Sequence, residues 1–286
     1  MIWGKNSKKI KMLVMVTAVL ASAIFLSGCI GGDDEIETLI IDGSTTVFPI
    51  AQAAADTYMD EHSDVDIQVS GTGSSNGISS VGGGSSDIGM ASRELKSTEE
   101  TSYPNLVQHI VAKDGIGLII HTTNTVEQLT TQQVKDIYLG TYTNWNEVGG
   151  PNLEIVVVGR DSASGTREFF YDHVMGKEDF VSTMLEKNSN GAVHATVSTT
   201  PGAIGYVGLG YIDSEVKAIN ILNEDTQEYV EPTVQNVLDG KYPIFRNLNM
   251  FTNGEPTDLT KEFIDFITSD EGQQVVQDEG FVPINQ

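Results

Sequence analysis

Three times in this chain a short apolar segment ends, glycines and small hydroxyl residues follow, and a helical pattern begins. The junctions are Gly43-Ser44-Thr45-Thr46, Gly73-Ser74-Ser75-Asn76-Gly77 and Ser162-Ala163-Ser164-Gly165-Thr166. Strands alternating with helices imply an α/β architecture with largely parallel sheets. A helix N-terminus leaves backbone N–H groups unpaired and carries a partial positive charge. Glycine lets an anion approach the backbone, and Ser and Thr hydroxyls add donors. Any one of these hydroxyls reads as a simple N-cap. Three junctions point to an anion site once Arg160 is counted, because it lies four residues before Ser164 and its planar fork matches a tetrahedral oxyanion.

Strand patterns cover residues 38–41, 66–69, 87–91, 153–158, 203–207, 218–222 and 248–251, and 106–121 holds two more. A helix opens at Pro49, a residue favoured at the first helical position, and runs to residue 62. In the Ser/Gly-rich stretch 70–86 a helix fits only around 77–81. Residues 129–139 are helical, Gly165-Thr166 opens another helix, and one final helix runs over 258–276.

Charge narrows the partners. The 286 residues hold 40 acidic and 16 basic side chains, and four of the lysines (Lys5, Lys8, Lys9, Lys11) precede position 29, a region without acids. The rest of the chain therefore carries a formal charge of −28, which excludes charge-driven binding to nucleic acid or anionic lipid. A 39% hydrophobic composition suffices for a core. A single cysteine, Cys29, excludes a disulfide framework or thiolate cluster. Residues 5–11 are cationic and 12–27 apolar, too short a run for a membrane span. Leu26-Ser27-Gly28-Cys29 resembles the lipobox of prokaryotic lipoproteins. Residues 1–28 are then a signal peptide, Cys29 the lipidation site and 29–37 a flexible acidic tether. The remainder is exported and anchored on the outer face of the cytoplasmic membrane.

Seven collinear segments carry a family resemblance: IDGSTTVFPIA (41–51), GTGSSNGI (71–78), SSDIGMASRELK (85–96), TNWNEVGGPN (143–152), GRDSASGTREFF (159–170), TTPGAIGYVGLGYI (199–212) and FTNGEPTDLTKEFIDFITSDEGQ (251–273). Together they resemble the phosphate-binding proteins (PstS family) of phosphate ABC importers. The resemblance implies a two-lobed, type II periplasmic-binding-protein fold. Lobe 1 would comprise residues 36–119 plus 247–286 and lobe 2 residues 120–246, joined by two extended hinge strands. It implies a monomer that holds inorganic phosphate and docks on membrane permease subunits, without cofactor or metal and without turnover. Residue by residue, Arg160, Ser164, Gly165 and Thr166 match the second-lobe ligands and Ser74 the first-lobe serine. Val47 stands where long-chain members carry a ligand Thr, so Ser44, Thr45 and Thr46, with the Val47 and Phe48 amides, would serve instead. Arg93 stands where those members place an Asp that accepts the proton of monohydrogen phosphate and repels sulfate. Asp161 is the expected replacement acceptor, and Arg93 either ligates the anion or pairs with Glu94 or Asp161.

Rival readings fare worse. Gly73-Ser74-Ser75-Asn76-Gly77 matches the nucleophile elbow of α/β-hydrolases, yet the mature chain before Ser75 has room for only two strands. No histidine has motif context, no metal-ligand spacing occurs, and no phosphate-loop signature for ATP is present. A receptor for another oxyanion and an adhesion protein remain as alternatives, separated by whether phosphate is retained in excess sulfate.

Overall fold

Residues 106–121 are rich in Val, Ile, Leu and Gly, and Asp114-Gly115 in their midst reads as a turn between two strands. In the computed structural model, which describes residues 36–285, they form one continuous strand of 16 residues. The chain does not turn because Asp114 and Gly115 stay in the ladder, opposite Arg246 and Phe245 of a returning strand. The expected pair is thus a single long hinge element.

The strands in chain order are β1 (Glu37–Gly43), β2 (Val65–Ser70), β3 (Ile88–Ala91), β4 (Leu106–His121), β5 (Gln128–Leu129), β6 (Val156–Arg160), β7 (Leu185–Lys187), β8 (Ala203–Gly208), β9 (Val216–Ala218), β10 (Asn220–Asn223), β11 (Glu228–Val230) and β12 (Phe245–Asn253). A nine-stranded sheet follows the order β2-β1-β3-β12-β4-β8-β6-β7, with β9 also on β4, and β11-β10-β5 form a small second sheet. Pairing is mixed. β1, β2 and β3 are mutually parallel, as are β6, β7 and β8, but β4 and β12 run against their neighbours. Largely parallel sheets were expected; the long hinge strands, which sequence periodicity does not orient, account for the difference.

Apolar side chains change partners along β4. Val111 and Ala112 pack with Leu39, Ile41, Leu248, Met250 and Phe263, whereas Ile116, Leu118 and Ile120 pack with Trp145, Phe170, Tyr206 and Ile244. The sheet is therefore one hydrogen-bonded path whose two halves serve separate cores, which is the two-lobed α/β arrangement. No helix among the described residues is long and apolar enough to cross a membrane.

The helices that matter to the site follow parallel strands: α1 (Phe48–Glu61) after β1, α2 (Ser74–Gly82) after β2, α3 (Gly165–His173) after β6 and α4 (Asn190–Thr199) after β7. Their N-termini lie at the carboxyl ends of strands, where open α/β sheets bind ligands. Helix α2 exceeds its expected span by three residues at its start because Ser74, Ser75 and Asn76 form its first turn. The expected single carboxyl-terminal helix is two, Asp258–Thr268 and Asp270–Asp278. Ser269 between them is extended (φ −69°, ψ 169°) and caps the second by accepting from the Gly272 amide at 3.2 Å. Likewise 218–222 splits between β9 and β10, which belong to different sheets.

Helix α2 lies backbone-to-backbone on the strands. A Cβ on Gly77 would sit 2.6 Å from Asp42 O, 2.6 Å from Gly43 Cα and 2.7 Å from Met90 O. Backbone cannot yield as a side-chain tip can. Gly77→Ala is expected to lower the unfolding free energy by about 1–3 kcal/mol, the usual range for overpacking, measured by urea titration. An unchanged midpoint would show that α2 can lift off the sheet.

Candidate functional site

The strand–helix junctions converge on a buried polar cluster. Ser44, Thr45, Thr46, Ser74, Ser164 and Thr166 are all buried, as is Arg160, which is 1% exposed. Thr46 and Thr166 hydroxyls lie 3.1 Å apart although 120 residues separate them in sequence. Arg160 Nη2 donates to Thr45 Oγ1 at 3.0 Å. The Ser75 amide donates to Ala163 O at 3.1 Å. Gly165 has no room for a side chain, since a Cβ there would meet Ser74 Oγ at 2.4 Å. The three junctions that share a pattern in sequence thus share a place in space.

Each hydroxyl has a definite job. Ser44 Oγ accepts from the Thr46 and Val47 amides (3.1 and 3.4 Å), and the Phe48 amide donates to Ser44 O. Ser44 therefore closes its own turn, and the Val47 and Phe48 amides are engaged within it. Ser164 is the N-cap of α3, accepting from the Arg167 amide. Ser74 Oγ accepts from the Ser92 amide at 3.1 Å and sits 3.2 Å from Ser92 Oγ. Thr45, Thr46 and Thr166 instead point their hydroxyls into the shared cluster.

Arg160 is the electrostatic centre. Its Nη2 also donates to Asn188 O and its Nε to Lys187 O, so the backbone at the carboxyl end of β7 fixes the guanidinium. Its Nη1 is buried with no hydrogen-bond partner. No carboxylate forms an ion pair with it among the described residues. Burial pushes its pKa down to about 10, with Tyr206 and Asp161 pulling the other way, so it is cationic at neutral pH. A buried cation lacking a counter-ion is costly unless an anion joins it.

Sequence reasoning missed three members. Asn190, wholly buried at the start of α4, donates to Thr45 Oγ1 (3.1 Å) and Thr46 Oγ1 (3.0 Å). Its context, Asn188-Ser189-Asn190-Gly191 between β7 and α4, repeats the strand–small polar–helix design of the other three junctions. Arg246 and Asp114 form a buried ion pair at 2.9 Å across the hinge strands. Arg246 Nη2 also donates to Thr166 Oγ1 at 3.0 Å, and Nη1 to Ser92 O at 2.9 Å. Asp114 accepts from the Leu209 amide as well. Burial pushes the Asp114 carboxyl upward, opposed first by Arg246. The available signal was slight: Asp114 stands beside Lys113 in an otherwise largely apolar strand, and Arg246 lies near the start of a strand that mixes polar and apolar residues.

Two expected roles land elsewhere. Asp161 is half-buried and its Oδ1 accepts from the Ala163 amide at 3.2 Å, as a turn-forming aspartate does. Asp114 is the carboxylate that lies with the cluster. Arg93 pairs with neither the Glu94 carboxylate nor Asp161. Its Nη1 and Nη2 grip the two oxygens of Glu99 at 2.7 Å each, its Nη2 reaches Ser75 Oγ, and its Nε lies 3.0 Å from Glu168 Oε2. The Glu99 carboxyl is pushed up by burial but held below its ordinary value by Arg93 and the Lys96 amide. Arg93 is thus neutralised by carboxylates, unlike Arg160.

Comparison with known proteins agrees with this geometry. Residues 31–271 match the family model described as "PBP superfamily domain". The chain is 34% identical to the phosphate-binding protein PstS of Bacillus subtilis over 249 residues, covering 86% of this chain and 81% of that one. It is 31% identical to PstS of Borreliella burgdorferi, over 95% of this chain and 98% of the relative. The chain belongs to the PstS family. Among solved structures, a putative phosphate ABC transporter substrate-binding protein with bound phosphate from Clostridium perfringens superposes with a TM-score of 0.81. It is 38% identical in sequence, covering 87% of this chain and all of the other. An ABC-type phosphate transport receptor from Vibrio cholerae gives 0.69 at 33% identity, covering 85% and 99%. The PstS-type two-lobed fold is therefore the frame in which the cluster sits.

Removing one member of a buried ion pair strands the other. Asp114→Ala, which leaves Arg246 unpaired, is expected to cost about 3–5 kcal/mol of stability in urea unfolding. A loss below about 1 kcal/mol would mean that Arg246 finds another partner and that the pair does not organise the cluster.

Proposed function

We propose that this chain is an extracytoplasmic receptor that captures inorganic phosphate between two lobes and delivers it to an ABC importer. Its PstS relatives are binding components of transporters, not enzymes. The observation that carries the reading is Arg160: buried, fixed by backbone carbonyls, without a counter-ion, and with Nη1 unpartnered. A tetrahedral anion accepts from such a fork while taking Thr45, Thr46 and Thr166 hydroxyls and the N-termini of α2 and α3 as further donors. Ser44, Ser74, Ser164 and Gly165 shape that site, the first three by holding the turns and Gly165 by letting α3 approach Ser74.

The lobes divide along β4 and β12, with 36–119 plus 247–286 and 120–246 as the expected bounds and the crossover in β4 drawn a few residues earlier by its packing. The change of core partners between Ala112 and Ile116 supports a hinge near Asp114. Capture closes the hinge and excludes water, which strengthens each polar contact. The closed protein then docks, as a monomer, on permease subunits. Lipid attachment at Cys29 would keep it at the outer face of the membrane; that residue, the signal sequence and the tether up to residue 35 lie outside the described residues. Asp114 replaces Asp161 in this reading as the acceptor for the proton of monohydrogen phosphate, being the carboxylate tied to the cluster through Arg246, which reaches Thr46 and Thr166.

Calorimetry separates the readings. Wild type is expected to bind one phosphate per chain in the presence of excess sulfate, and Arg160→Ala to weaken it by at least about 100-fold, the scale of an unpaired buried charge contact. Asp114→Asn, which keeps the shape but loses the charge, is expected to let sulfate compete. Equal competition by sulfate in the wild type would point instead to a general oxyanion receptor.

A further inference from the structure

Arg93 is buried yet does not join the Arg160 cluster, which raises the question of what it holds. It belongs to the segment after β3, in the first lobe. Its carboxylate Glu99 lies in the same segment, at the start of the short helix Ser97–Ser102. The bidentate grip between them fixes the guanidinium from within its own segment. Glu168 comes from the opposite lobe, in the first turn of α3. Its Oε2 lies 3.0 Å from Arg93 Nε and 2.7 Å from Lys96 Nζ. A cleft of about 360 Å³ is lined by Arg93, Lys96 and Glu168, and also by Phe169 and Arg246. That cleft leads from solvent to Arg246, which donates to Thr166 in the polar cluster.

We infer that Glu168 is a latch: its ion pairs with Arg93 and Lys96 close across the mouth of the site and set how fast the bound anion leaves. This rests on the phosphate-receptor reading above. Arg93 is 5% exposed and Glu168 26%, so the pair is shielded enough to act but not so buried that breaking it is prohibitive. Because Glu99 already orders Arg93, closure has only to fix Glu168 and the half-exposed Lys96, which reduces the entropy lost on latching. The four groups sum to zero charge, so the latch adds no field that competes with Arg160 for the ligand. Stabilising the closed form lowers the apparent dissociation constant by raising the fraction of closed protein, and it acts mainly on release.

An opposing effect makes the test decisive. Glu168 is a negative charge in the first turn of a helix whose N-terminus faces the anion, so simple electrostatics predicts that neutralising it tightens binding. The latch predicts the reverse. Full-length protein in mild detergent is loaded with labelled inorganic phosphate and chased with excess unlabelled phosphate by rapid filtration. Glu168→Gln is expected to raise the release rate about 10-fold with the association rate little changed. Lys96→Met should raise it less, and the double variant should release no faster than Glu168→Gln alone. Glu178→Gln, which removes a pair with Lys135 within the second lobe, serves as control and should release at the wild-type rate. Unchanged or slower release from Glu168→Gln, in a wild type that retains phosphate, overturns the latch. Failure of the wild type to retain phosphate overturns the receptor reading itself.

Discussion

A buried guanidinium without a carboxylate is the constraint on which this structure turns. Arg160 ends β6, and its Nε and Nη2 are spent on the backbone at the carboxyl end of β7 and on Thr45. Its remaining nitrogen is withheld from the protein. The arrangement is stable only because hydroxyls, carbonyls and helix ends surround it, and it favours an anion over any neutral ligand. The formal charge of the whole chain, −24, has the opposite sign. Geometry at contact distance prevails over net charge because salt screens remote carboxylates beyond roughly 8–10 Å.

The three other buried charges among the described residues show how differently the same residue types can be used. Arg246 is paired with Asp114 across directly opposed positions of the two hinge strands, so the element that would bend also carries part of the polar cluster. Movement of β4 against β12 cannot leave Thr166 undisturbed, because Arg246 donates to it. Arg93 is neutralised by Glu99 and Glu168 and faces the mouth of the site. The cluster, the hinge and the mouth are thus joined by arginines, each with its own complement of acceptors.

Much of this was readable from sequence where local chemistry repeats. The three glycine–hydroxyl junctions and Arg160 announced themselves by pattern, whereas the start of α2 did not, because Ser74, Ser75 and Asn76 belong to its first turn and Gly73 offers no side-chain cap. Hinge strands were expected from the resemblance, but that 106–121 is one strand was not readable from periodicity, because Asp114-Gly115 looks like a turn and only its partner strand keeps it straight. Asp114 and Arg246 were invisible as a pair for the same reason: their 132-residue separation collapses only when β4 meets β12. The acceptor role expected of Asp161 followed its nearness to Arg160 in sequence, whereas its side chain turns back to the Ala163 amide. Ser269 shows the limit in a helix, since one extended residue breaks a continuous apolar pattern without altering it.

Diffraction from crystals grown with phosphate tests the central claim most directly. The account predicts one tetrahedral anion with an oxygen about 3 Å from Arg160 Nη1 and further oxygens on Thr46 and Thr166, the strand–helix junctions being closed around it. Density for the anion at another place, with Arg160 Nη1 bonded to protein or water, would contradict it.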